Sequence, residues 1–160
     1  MSIKLQFVYH PNFQSWLITW FSAGKYSHVD CIMEDGTLFG ARSDKIGNIP
    51  PGVYDRPPNY KIFTRKLVIE LPCSEEQEKK FYEFLFLQNG KPYDKTAIKA
   101  FFFHRDWRAD DSWFCSELIV AALEYAGIIL QIGAEVNQIT PVVCSIICCV
   151  AGGKIIMKVG

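Results

Sequence analysis

A chain of 160 residues, 49% hydrophobic and 21% charged, has the length of one domain and enough apolar sequence to bury a core, which excludes a disordered tail or a low-complexity repeat. Lys plus Arg and Asp plus Glu balance at 17 each, so no overall basic field draws the protein to nucleic acid or anionic membrane. The six cysteines, Cys31, Cys73, Cys115, Cys144, Cys148 and Cys149, form no C-x-x-C pair, and the opening residues lack the basic and apolar regions of a secretory signal. Free thiols in a cytoplasmic protein are therefore expected. The longest uncharged stretch, 138–153, is interrupted by Pro141 and a Gly pair and falls short of a spanning helix. His10, His28 and His104 show no metal-ligand spacing, so neither metal nor cofactor is expected.

In chain order, residues 3–9 have the β-branched and aromatic character of a strand, and His10-Pro11-Asn12 breaks it. A helix over 13–23 carries Trp16, Leu17, Trp20 and Phe21 and stops at Gly24. Strands over 27–33 and 37–42 flank Glu34-Asp35-Gly36, a hairpin signal. Gly and Pro punctuate 43–59, which predicts a loop without regular structure that covers a site. An extended segment over 60–71 alternates Leu67, Ile69 and Leu71 and ends at Pro72. Ser74 and Gln77 form a capping box for a helix bearing Phe81, Phe84 and Leu85 until Asn89-Gly90.

Asp94 is placed to cap a helix running to Phe103, followed by a charged turn over 104–111. The segment 112–118 opens the next helix, in which Leu118, Ala121, Ala122 and Tyr125 share a face before Gly127 ends it. A helix over 142–150 and a strand over 154–159 close the chain. The fold class is α+β in one domain, 1–160, an antiparallel sheet packed against helices with a cysteine at a helix N-terminus.

That cysteine, Cys115, meets unpaired backbone N–H groups and the positive end of the helix dipole, both of which favour a thiolate and an oxyanion beside it. A buried cysteine is a common core residue, so position alone does not mark a nucleophile. His28, in mid-strand, supplies the base that a Cys–His hydrolase needs. If Asp35 and Gly36 are a two-residue turn, Ser43 lies opposite His28 and orients it. Asp30 shares the face of His28 and is the alternative, while a bulge would bring Arg42 or Asp44 opposite instead. Glu117 takes the favourable acidic place in the first helical turn.

These residues, in this order, resemble the circularly permuted papain-like branch of the NlpC/P60 superfamily, in particular its YiiX-like members and their phage and prophage relatives. The matching segments are Tyr26-Ser27-His28-Val29 with the Asp35-Gly36 hairpin, Gly52-Val53, Gly90-Lys91-Pro92-Tyr93-Asp94, Trp113-Phe114-Cys115-Ser116-Glu117-Leu118 with Ala126-Gly127, and Ile139-Thr140-Pro141. The resemblance implies a thiol-dependent amidase, peptidase or acyl hydrolase in which Cys115 attacks and His28 is the base. The implied substrate is a small peptide, a cell-wall fragment or an acyl compound, with no nucleic-acid partner and no membrane. Relatives often carry a small residue where this chain has Asp30. The strand 38–43 offers no His, Glu or Asn as their third catalytic residue, so Cys115 and His28 are expected to act as a dyad or with Ser43, or alternatively Asp30, as the third residue.

Two other functions fit the same sequence. One is a non-catalytic ligand-binding or virion-associated module, with Trp16, Trp20, Trp107 and Trp113 lining a groove. The other is a lipid acyltransferase or phospholipase whose C-terminal apolar segment, with Cys144, Cys148 and Cys149, docks on a bilayer.

Overall fold

Period-two alternation decides which way each strand faces. In the computed structural model, which describes residues 1–12, 15–16, 18–19, 23–94, 113–131 and 139–160, strand β1 (Ser2–Tyr9) buries Ile3, Leu5 and Phe7 in the core and turns Gln6 to the opposite face. Strand β2 (His28–Ile32) contributes Val29 and Cys31 to that core, β3 (Leu38–Arg42) Phe39 and Ala41, β4 (Gly52–Arg56) Val53, and β5 (Arg65–Pro72) Leu67, Ile69 and Leu71. With β6 (Lys154–Val159) they form one antiparallel sheet in the order β4-β3-β2-β1-β5-β6.

Helices α1 (Glu75–Leu87), α2 (Cys115–Tyr125) and α3 (Pro141–Val150) join the same core through Phe81 and Leu85, Leu118 to Val120, and Cys144 and Cys148. This is the expected α+β class. The predicted capping box starts α1, with Gln77 N–H donating to Ser74 Oγ at 3.2 Å and Ser74 N–H to Gln77 Oε1 at 3.0 Å. No described helix is long and apolar enough to cross a membrane.

The hairpin departs from expectation by one residue. Met33 N–H donates to Thr37 O and Gly36 N–H to Met33 O, both at 2.9 Å, so Glu34-Asp35-Gly36 is a three-residue loop with Gly36 in the left-handed region at φ +84°. Asp35 Oδ1 tightens it by accepting from the Thr37 amide at 2.9 Å and hydroxyl at 2.6 Å. Cys31 therefore pairs with Phe39 and Ile32 with Leu38, a register that, carried along the strands, sets His28 against Arg42 and not Ser43.

The stretch 43–59 also holds a strand, β4, that its prolines concealed. Pro50 and Pro51 precede it and Pro57 and Pro58 follow it, so they bracket a strand instead of interrupting one. Gly52, at φ +134°, permits this edge, because a Cβ there would lie 2.6 Å from Lys91 O. Val53 N–H then donates to Lys91 O at 2.9 Å, and Gly90 N–H to Val53 O at 2.8 Å.

Of the helix expected over 13–23, residues 15–16 and 18–19 are described and helical, and Ser15 N–H donates to the capping Asn12 Oδ1 at 2.7 Å. The helix expected from Asp94 to Phe103 and the turn containing His104 and Trp107 lie outside the described residues.

Candidate active site

Cys115 is the first residue of α2, following Phe114 in extended conformation at φ −85°, ψ 152°. A parallel bridge between Tyr93 and Trp113, with Asp94 N–H donating to Trp113 O at 3.0 Å and Trp113 N–H to Pro92 O at 3.1 Å, fixes the approach to that helix. Glu117 occupies the first-turn place expected of it and also reaches back to accept from Phe114 N–H at 3.3 Å, a capping contact. Ser116 Oγ donates to Ile139 O, tying the helix start to the segment before α3. The helix packs on β2 and β3.

His28 opens β2, and Asp30 follows two residues later on the same face. Their side chains meet: His28 Nε2 lies 2.7 Å from Asp30 Oδ1, with Asp30 fully buried. Asp30 fits because residue 40 is glycine, since a Cβ there would lie 2.3 Å from Asp30 Oδ1. The other carboxylate oxygen, Oδ2, accepts from Tyr60 Oη at 2.7 Å. Arg42 Nη1 donates to that hydroxyl at 2.8 Å, and Arg42 Nε donates to Asp44 Oδ1 at 2.8 Å. Arg56, 1% exposed, donates through Nη1 to Gly40 O at 2.8 Å and through Nη2 to Gly52 O at 2.9 Å. His28, Arg42, Ser43 and Tyr93 line a narrow cleft with Asn12 and Ser27.

Electrostatics in this cluster run against the expected thiolate–imidazolium pair. Burial pushes the Cys115 thiol up to about 12, and the amides of Val29 and Ser116, which favour the thiolate, offset only part of that. Burial likewise lowers His28 below its ordinary 6.5, with Arg42 and Arg56 adding to the shift and Asp30 opposing it. Burial also works against ionisation of Asp30, but His28, Arg42 and Tyr60 outweigh it and hold the carboxyl below its ordinary value. At neutral pH the site therefore contains a thiol, a neutral imidazole and a carboxylate. The helix terminus still favours a thiolate, but desolvation at 1% exposure is the larger effect.

Of the residues singled out in the sequence, the structure joins His28 to Asp30 and sets the Cys115 sulfur against the backbone of Val29, the residue after His28. Ser43 lines the cleft beside His28, but not from the position directly opposite it. Trp113 is a core residue whose Nε1 donates to Gln88 Oε1 at 3.1 Å, whereas Trp16 is half exposed. Trp20 and Trp107 lie outside the described residues. Sequence reasoning missed Gly40, Arg56 and Tyr60. Tyr60 in particular reaches Asp30 from 30 positions away, and no local pattern signals such a contact.

No protein-family model matches this sequence, and no curated protein matches it. Among solved structures, the fold is similar to that titled metalloprotein yiiX from Escherichia coli O157:H7, DUF1105, at 22% identity and a TM-score of 0.53. The match covers 79% of this chain and 66% of that one, so this chain spans just under two thirds of the neighbour's length, and the likeness is one of fold. No three His, Cys, Asp or Glu side chains gather into a metal-holding group among the described residues, so the side chains described here do not fit a resident metal.

Proposed function

We propose that the chain is a permuted papain-like cysteine hydrolase of NlpC/P60 type, acting on an amide or ester through a thioester on Cys115. The observation that carries this proposal is the buried His28–Asp30 pair at 2.7 Å beside a cysteine in the first turn of a helix. Asp30 takes the place of the third residue, accepting from Nε2–H and leaving Nδ1 as the basic nitrogen. Nδ1 takes the Sγ proton as sulfur attacks the carbonyl carbon, and the Ser116 amide at the helix terminus faces the developing oxyanion. The imidazolium then protonates the leaving amine or alkoxide. A water molecule, giving its proton to the same nitrogen, attacks the thioester and releases the carboxylic acid together with the thiol.

A neutral thiol and a neutral imidazole suit this sequence of steps, because the proton moves during attack and no buried ion pair stands at rest. The test is intact-mass detection of an acyl adduct after mixing with activated acyl, peptide and peptidoglycan-fragment esters. Acylation is expected on Cys115 and absent in Cys115→Ala. Adducts that persist in Cys115→Ala, or none with any substrate, would overturn the proposal.

The 1% exposure of Cys115 favours a second function, a non-catalytic binding module on the same fold, and the same experiment decides between them. The exposed Ile146 and Val150 of α3, with Ile155 and Met157 of β6, favour a lipid-directed hydrolase or acyltransferase. Co-sedimentation with neutral and anionic vesicles tests that version, and failure to pellet with either removes it.

A further inference from the structure

A base that must accept a proton on one nitrogen needs its other nitrogen held. In the proposed hydrolase the holding group is Asp30, and a buried carboxylate can rotate or protonate unless its second oxygen is occupied too. Here that oxygen, Oδ2, is taken by Tyr60 Oη at 2.7 Å.

Tyr60 lies between β4 and β5 and is itself fastened from three sides. Arg42 Nη1 donates to its hydroxyl at 2.8 Å, the Arg42 guanidinium sits 4.8 Å above its ring, and Phe63 meets the ring edge-on at 5.4 Å. Its neighbour Lys61 pairs with Asp44, the same carboxylate that holds Arg42. The strap carrying Tyr60 is thus buttoned to the strand that ends beside His28.

Donor and acceptor rules set the direction of every bond in this chain. Arginine only donates, so the Tyr60 oxygen accepts from Arg42 and its single proton goes to Asp30. Burial, reinforced by the Asp30 charge, holds the Tyr60 hydroxyl well above the usual phenol range, so that proton is always present. An ionised Asp30 only accepts, so Nε2 of His28 carries the hydrogen and Nδ1 does not. We propose that Tyr60 is a positioning residue of this site, clamping Asp30 through its hydroxyl so that His28 is held in the Nε2–H tautomer with Nδ1 open to the thiol proton. The proposal rests on the hydrolase function assigned above.

Removing the hydroxyl has a signature that loss of packing lacks. In Tyr60→Phe the ring and its cation contact remain, but Asp30 loses a donor, becomes more basic and holds a proton on His28 more strongly. The other groups on this side of the sheet are unchanged: Arg42 from β3, Arg56 from β4, Asp44 just after β3, Tyr93, and, on α2, Cys115, whose sulfur lies against the backbone of Val29. The His28 titration midpoint should therefore rise, its tautomer preference should weaken, and kcat should fall roughly 10- to 100-fold with KM little changed.

The experiment is an NMR titration of the His28 ring, with ¹⁵N tautomer assignment, in Cys115→Ala with and without Tyr60→Phe, alongside hydrolysis assays in the chain that retains Cys115. Incorporating 3-fluorotyrosine at position 60, a stronger donor, should move the midpoint the opposite way and gives a second readout if Tyr60→Phe fails to fold. An unmoved midpoint and tautomer in both variants overturns the clamp, even where hydrolysis is intact. A moved midpoint in a chain without Cys115-dependent hydrolysis upholds the clamp and overturns the hydrolase function.

Discussion

Around His28 the two faces of the central sheet are both buried, yet they are built from opposite materials. Toward the helices, Leu5, Phe7, Val29 and Ile69, packed in one core with Leu118 of α2, are fully buried apolar side chains that need only volume and shape. On the other face of the same strands, Gln6, Asp30, Arg42 and Arg56 are each 8% exposed or less. Those groups need a specific partner apiece, since an unpaired buried charge costs far more than a lost van der Waals contact. The apolar face determines whether the chain folds, and the polar face determines how His28 is held. Substitutions on the two faces should therefore separate into losses of stability and losses of activity.

His28→Ala should give the largest loss of activity, on the order of 10²–10⁴-fold in acylation rate, the worth of a positioned base, measured by stopped-flow with an activated ester. Its counterpart on the apolar face is Leu118→Ala, which should cost about 2–5 kcal/mol in urea unfolding and leave the activity per folded molecule nearly unchanged. A third variant sits where the faces interlock. In Gly40→Ala the new methyl would lie 2.3 Å from Asp30 Oδ1, so the carboxylate must leave His28. A displacement of that kind should lower kcat by about 10²-fold. If Gly40→Ala retained full activity, Asp30 would have no part in orienting the ring.

Thiol labelling sharpens the same contrast. A helix-terminus cysteine with a depressed pKa would be alkylated first, but Cys115 is 1% exposed and pushed up to about 12, whereas Cys149 is exposed. Iodoacetamide should therefore modify Cys149 well before Cys115, read by peptide mass spectrometry over time, while an acyl substrate acylates Cys115 alone. Preferential alkylation of Cys115 at neutral pH would show that the helix terminus outweighs desolvation at this sulfur.

Which of these features the sequence exposed depends on how local their causes are. The strand character of β1, the alternation in β5, the capping box of α1 and a helix start that puts Cys115 in its first turn are set within a few residues and were legible. So was the shared face of His28 and Asp30, because a spacing of two in a strand allows nothing else. The hairpin register was not, since a two-residue and a three-residue loop share the Asp35-Gly36 signal and differ by one position. Strand β4 was hidden because proline marks the ends of a strand as readily as its absence. Tyr60 and Gly40 acquire their roles from contacts made only in the folded chain, and the thiol's protonation depends on burial that no motif encodes.

The smallest expected effect is a pH dependence of stability that belongs to the polar face alone. Burial lowers the folded-state pKa of His28 below its ordinary 6.5, so as pH falls through 6.5 the unfolded chain takes up a proton that the folded chain resists. Stability contributed by the neutral imidazole is therefore fully present above 6.5 and is lost progressively down to the folded-state value, below which the loss is complete. Asp30 acts in the same direction but in a separate window, below its ordinary 3.8, because its folded-state pKa is also lowered. Between pH 7 and 5 the His28 contribution should stand clear of that of Asp30, with a slope of at most about 1.4 kcal/mol per pH unit for one proton. Urea unfolding across this range should show a shallower slope for His28→Gln than for the natural chain, whatever the offset between the two curves. Equal slopes would mean that His28 is as easily protonated in the folded chain as in the unfolded one. In that case Asp30 would just offset burial, whereas a steeper slope for His28→Gln than for the natural chain would mean that Asp30 outweighs burial and that the resting site holds an imidazolium where a neutral base is needed.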